Sequence, residues 1–252
     1  MDLEIRPPGP VGVVADNGTG RAGAAHLTGR SDELVRRIAC HEASHCVVAR
    51  ALGSIVERVT IKPEGGFEGQ CLRRGPETAA SLQLRASSSE VLSIMDVAAR
   101  LSPPEIGEAR VAISEGVVRA ETLVIELLAG TVGETVALPD VEPLSAEHDL
   151  IEARALASVV SFAVEPLLEF CKAEAKAILS ANRDVLLSLA DALVEHGSLD
   201  GEMVDAVISS AIARRQLADE HRRRADWKRR IEGAAWFTTM VGGNDGDTNG
   251  RA

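Results

Sequence analysis

In the stretch IACHEASHCVV, residues 38–48, His41 and His45 stand four apart and Glu42 directly follows the first histidine. On a helix, positions four apart lie on one face, one turn above each other. Both imidazoles can therefore aim at one metal ion. Glu42 lies about 100° round the helix, beside the metal without ligating it. Two neutral imidazoles bind Zn²⁺, and a glutamate so placed takes a proton from water held on the metal. That is the chemistry of zinc-dependent hydrolysis. Two core histidines bonded to backbone or water would also fit a buried helix. In a chain with 6 histidines, that reading needs the whole pattern to arise by accident.

The helix that must carry this motif has its own signature. Ser31 with Asp32 and Glu33 marks its start, and Gly53 its end. Leu34, Ile38, His41, His45, Val48 and Leu52 follow at steps of three and four, so the histidines sit on the buried stripe. A zinc site needs a third ligand from another segment. In LSAEHDLIEARALASVV, residues 144–160, Glu147, His148 and Asp149 compete, and neighbours point about 100° apart. Asp149 heads an apolar stripe through Ala153, Leu156 and Val160, whereas His148 heads a solvated row with Glu152. The stripe favours Asp149. Cys40 and Cys46 bracket the histidines but point away from them, and read as packing thiols.

The other elements follow in order. VERVTIKP and QCLRR, joined by the turn EGGFEG, read as a hairpin. A helix is expected over 87–101, with Ser87 and Glu90 at capping-box spacing and Pro103 and Pro104 beyond it. Another spans 108–130, closed by Gly130. From Ser145 to about 213 the chain reads as helix, broken near Pro166, Asn182 and HGSLDG at 196–201. The run EHRRRADWKRR at 220–230 prolongs a helix; a solvated face is its plainer reading, and Trp227 and Trp236 favour a docked partner.

Composition sets the outer bounds. The 252 residues are 45% hydrophobic and carry a net charge of -11, which argues against binding a phosphate backbone. Aromatics make up 2% and tyrosine is absent, so base stacking is not the main activity. Cys40, Cys46, Cys71 and Cys171 form no CxxC pair and read as reduced thiols. No apolar run approaches a bilayer span, and the first residues lack a basic start followed by an apolar segment. The expected location is cytoplasmic.

HEASHCVVARALGSIVERVTIKP, residues 41–63, resembles the start of the peptidase domain of the FtsH family of AAA+ zinc proteases. LLAGTVGETV at 127–136 is similar to a Leu-Ala-Gly segment of that family that ends in paired acids; here the end is Glu134 and Thr135. SAEHDLIEAR resembles its Ser-Asn-Asp-Leu-x-x-Ala stretch, whose aspartate falls on Asp149. ILSANRDVLLSLADALVEHGSLDGEMVDAVI, residues 178–208, resembles its closing helices. Ser44 stands where the family has glycine, and the hairpin is shorter. The resemblance implies Zn²⁺ held by His41, His45 and Asp149, with Glu42 as general base. It also implies that the strand region can pair with an extended substrate.

Together these readings give a mostly α-helical zinc metallopeptidase domain with a small β-hairpin. A flexible arm spans 1–30, the FtsH-like peptidase domain 31–213, and a basic helical extension with a tail 214–252. The expected activity is zinc-dependent endopeptidase cleavage of unfolded or extended polypeptides. No ATPase of its own is expected, since NGTGR at 18–22 lacks the Lys-Ser/Thr end of a phosphate loop. A separate ATPase or a homo-oligomer is the partner this leaves open. The alternative is a catalytically silent FtsH-like adaptor or regulatory binding protein.

Overall fold

The structure is a computed structural model that describes residues 29–64, 67–74, 111–144 and 146–242. The expectations for the N-terminal arm, the helix over 87–101 and the final tail lie outside these residues. Among the described residues the protein is mostly α-helical, with six helices and a three-stranded antiparallel sheet.

Helix α1, Asp32–Ala51, is the centre of the molecule. Ser31 caps it, its Oγ accepting from the Leu34 N–H at 3.3 Å, and Gly53 leaves it at φ 89°. That conformation costs a glycine little. α1 is buried on nearly every side, not only along its expected stripe. Val35, Ala39, Cys40, Ala43, Cys46 and Val47 are all buried. Their small volumes let neighbouring elements pack close around the helix.

Strand β1, Ile55–Thr60, pairs antiparallel with β2, Gln70–Arg74, and with β3, Ser198–Asp200. Among the described residues the sheet order is β2-β1-β3, which leaves β2 at an edge. β3 was read from sequence only as part of a helix break. Three residues are too few for an alternating pattern; Leu199 is buried opposite Val59 and completes the pairing.

Helix α2, Val111–Ala137, crosses α1 and also packs on α3, Glu147–Val160, and α4, Val164–Ala181. Helix α5, Arg183–His196, packs on α1 and leads through β3 into the long helix α6, Gly201–Gly242. Pro166 marks the expected break, since the chain leaves helix at 161–163 just before it. It sits in the first turn of α4, where a missing N–H costs nothing.

Gly130 does not end α2 either; the helix runs on to Ala137. Gly130 and Gly133 serve instead where α1 and α2 meet. A Cβ on Gly133 would overlap both Oγ and Cβ of the fully buried Ser44. Ser44 Oγ turns back to donate to the Cys40 carbonyl at 2.6 Å. The helix crossing thus accepts the serine because its partner has no side chain. Gly133→Ala should destabilise the fold: overpacking costs about 1–3 kcal/mol, against about 1 kcal/mol gained in helix propensity. Adding Ser44→Gly should relieve part of that cost. Urea unfolding of the double-mutant cycle measures this coupling; additive effects would contradict the crossing described.

Candidate metal centre

His41 and His45 project from the middle of α1, and Asp149 from the first turn of α3. The structure brings the three together. One side-chain atom from each lies within 4.8 Å of the others. His41 Nε2 is 3.1 Å from Asp149 Oδ2 and 3.1 Å from His45 Nε2, and His45 Nε2 is 3.5 Å from Asp149 Oδ2. His148 stays out of this cluster: it pairs with Glu152 at 2.9 Å, and its ring lies 5.7 Å from that of Phe67.

The far side of each ring decides which nitrogen faces the centre. His45 Nδ1 lies 2.7 Å from the backbone carbonyl of Glu126. A carbonyl only accepts, so Nδ1 carries the hydrogen and Nε2 presents its lone pair. His41 Nδ1 lies 2.8 Å from Glu134 Oε1 and donates in the same way. Two imidazole lone pairs and a carboxylate oxygen therefore converge on one small space. Three Lewis bases facing one another repel unless a proton or a cation lies between them. This donor set suits Zn²⁺, and the bonds behind the rings are those that orient histidine ligands. Gly130 completes the floor: a Cβ there would strike His41 and come within 2.7 Å of His45 Nε2.

Without metal, the bridging role falls to a proton. Burial opposes charging His41, but hydrogen bonds to Asp149 and Glu134 outweigh it and raise its pKa to about 9. Burial also opposes ionisation of Asp149, and the two imidazoles prevail, holding it well below the usual carboxylate range. The raised pKa of His41 lies above its unfolded value of about 6.5. In the metal-free protein its stabilisation is thus full below about pH 6.5 and lost as pH rises through about 9. Metal must displace that proton. Zinc uptake at pH 7 should release about one proton, and affinity should rise about tenfold per pH unit until about 9. Calorimetry in buffers of different ionisation enthalpy measures this. Uptake with no proton release would contradict the arrangement.

Two further residues, Glu134 and Glu126, hold the centre, and sequence reasoning gave them no such role. Glu134 is buried; besides His41 it accepts from the Leu144 N–H at 2.8 Å, and Arg37 stands 3.9 Å away. It thereby ties α1 to the loop that delivers Asp149. Glu126 interrupts the apolar run LVIELLAG and is buried. Its carboxylate pairs with Arg73 of β2 and accepts from Ser54 Oγ at 2.9 Å. A lone charge in an apolar run was the available signal. The same residue's carbonyl fixes His45, so one position of α2 anchors both the sheet and an imidazole.

Glu42 is buried beside the three donors. The chain at Gly69 lies directly on it: a Cβ there would be 2.7 Å from Glu42 Oε1. Arg30 clamps this segment by donating to the carbonyls of Ile61 at 3.1 Å and Glu68 at 2.9 Å. A cleft of about 480 Å³ opens here, with His41, Glu42 and Asp149 among its lining and Phe67 and Leu144 on its walls. The cysteines take no part in the donor cluster. All four are free, and burial pushes the Cys40 thiol up to about 11.

No family model matches the chain. It is 28% identical over 189 residues to the ATP-dependent zinc metalloprotease FtsH 2 of Symbiobacterium thermophilum, covering 71% of this chain and 31% of that protein. The likeness is to FtsH proteins and covers 71% of this chain. The chain is 27% identical over 191 residues to FtsH 4 of Sorangium cellulosum, covering 71% of this chain and 29% of that protein. The chain thus spans less than a third of the length of these relatives. Their names, together with the His-His-Asp cluster, are compatible with Zn²⁺.

Proposed function

We propose that the protein is a zinc-dependent endopeptidase in which His41, His45 and Asp149 hold the metal and Glu42 is the general base. The observation that carries this reading is the position of Glu42: its carboxyl lines the cleft beside three convergent donor atoms. A bound Zn²⁺ supplies a Lewis acid that polarises a carbonyl and acidifies water. Glu42 takes the proton from the attacking water and delivers it to the leaving amine nitrogen. Asp149 and the two imidazoles stay fixed through this, because Glu134 and the Glu126 carbonyl hold the rings from behind. Among the described residues β2 lies at a sheet edge and the segment leading into it lines the cleft, so an extended chain can add to that edge by main-chain hydrogen bonds.

The substrate class follows from the same geometry. An extended backbone must lie along the cleft, and a compact domain keeps its backbone in its own hydrogen bonds. A typical domain resists unfolding by about 5–15 kcal/mol, so its open fraction is tiny. Cutting a chain that is already unfolded requires no such work. The protein should therefore cleave unfolded polypeptides without ATP and spare stable folded ones. The test incubates the zinc-loaded protein with a stable protein and with a permanently unfolded variant of it, each with and without ATP and with a chelator. Cleavage of the unfolded form alone, stopped by the chelator and restored by zinc, is the expected result. No cleavage of either form would move the protein to the adaptor reading.

A further inference from the structure

Among the described residues, the final part of α6 stands apart from the rest. Up to Arg215 the helix is held to the body: Val204 and Ala211 are buried, and Arg215 donates to the Ala181 carbonyl and to Asp184, both at 3.1 Å. From His221 to Val241 every residue is exposed. At 1.5 Å per residue this is a bare helix of roughly 30 Å.

Its chemistry changes along its length. Between Arg222 and Arg230 six cations stand against a single acid, Asp226. Beyond them the side chains turn apolar. Trp227, Ile231, Ala234, Thr238 and Val241 follow at steps of four and three and form one stripe. Trp236, Phe237 and Met240 lie on other sides, each 63% exposed. Apart from Glu232 the side chains here are uncharged, and the apolar ones extend well beyond one stripe, whereas pairing with one other helix would cover a single stripe. The only two hydroxyls here are already satisfied: Thr238 and Thr239 each donate to the carbonyl four residues back, at 3.0 Å.

We propose that this segment lies along the headgroup–acyl boundary of an anionic lipid bilayer, its apolar side chains buried and its basic residues at the headgroups. None of the described helices is long and apolar enough to cross a membrane. With the segment so oriented, Trp227 and Trp236 both lie at the interface, where amphipathic rings concentrate. The chain carries -11 overall, which would repel an anionic surface. Screening acts over about 8 Å at physiological salt, and the exposed helix is several times longer. The local cations therefore decide the encounter.

The chain carries its own probe, since its two tryptophans are both on this helix. With the full chain, vesicles of phosphatidylcholine containing phosphatidylglycerol should shift tryptophan emission to the blue and carry the protein upward in flotation. Pure phosphatidylcholine vesicles should do so far less. Replacing Arg229 and Arg230 together by glutamine should weaken binding roughly twentyfold. Phe237→Glu with Met240→Glu should weaken it more than about tenfold. All four positions are exposed, so the fold is not at stake. Absence of any shift overturns the proposal, as does equal binding to both vesicle types. A blue shift without lipid that grows with protein concentration, unchanged by vesicles, would assign the segment to a second copy and overturn it too.

Discussion

Glu42→Gln should lower cleavage of an unfolded substrate by about 10²–10⁴-fold while leaving the metal in place. Glutamine keeps the size of the side chain, so the contact with the Gly69 backbone and the packing of α1 survive. It cannot accept the proton from water. Because Glu42 is not among the donors that face one another, zinc content should stay at the wild-type level. Both quantities have to be read on the same preparation. Activity within a few-fold of wild type would remove Glu42 from the reaction. Loss of zinc together with activity would make it a ligand.

The second large effect concerns the ligands themselves. His41→Ala removes a donor and leaves two buried carboxylates, Asp149 and Glu134, facing each other without the ring that joins them. Breaking such a buried charge cluster by removing one partner costs about 3–5 kcal/mol, so stability should fall along with metal binding. Asp149→Ala should be destabilised less than His41→Ala, since His41 keeps its bond to Glu134, and it should bind zinc poorly. Its affinity loss should exceed the roughly 10–100-fold expected when only an outer hydrogen bond is lost. His148→Ala should stay within a few-fold of wild type, because His148 faces Glu152 and solvent. Competition with a chromophoric chelator ranks the three. Zinc lost with His148→Ala and kept with Asp149→Ala would reverse the assignment.

Much of the centre is legible in local patterns. The spacing of His41, Glu42 and His45 within a capped apolar stripe places both rings on one side of α1. The stripe through Asp149, Ala153 and Leu156 selects the residue that the fold delivers to them. What escapes the sequence is set by partners far along the chain. Glu134 meets His41 across 93 positions, and the Glu126 carbonyl meets His45 across 81. No local period encodes such pairs. Gly130 misleads for the same reason: locally a glycine signals a helix end, but here it lets two imidazoles approach the α2 backbone. β3 is held by Leu199 opposite Val59, a pairing between distant segments that three residues cannot announce.

The central claim is that two imidazoles and the Asp149 carboxylate, and no thiolate, hold one zinc. X-ray absorption on the zinc-loaded protein tests it most directly. Metal analysis should give about one zinc per chain. The spectrum should show nitrogen and oxygen neighbours at about 2.0–2.2 Å, with outer-shell scattering from two imidazoles. A sulfur neighbour at about 2.3 Å would bring Cys46 or Cys71 into the site and contradict the account. So would failure to bind zinc in stoichiometric amount.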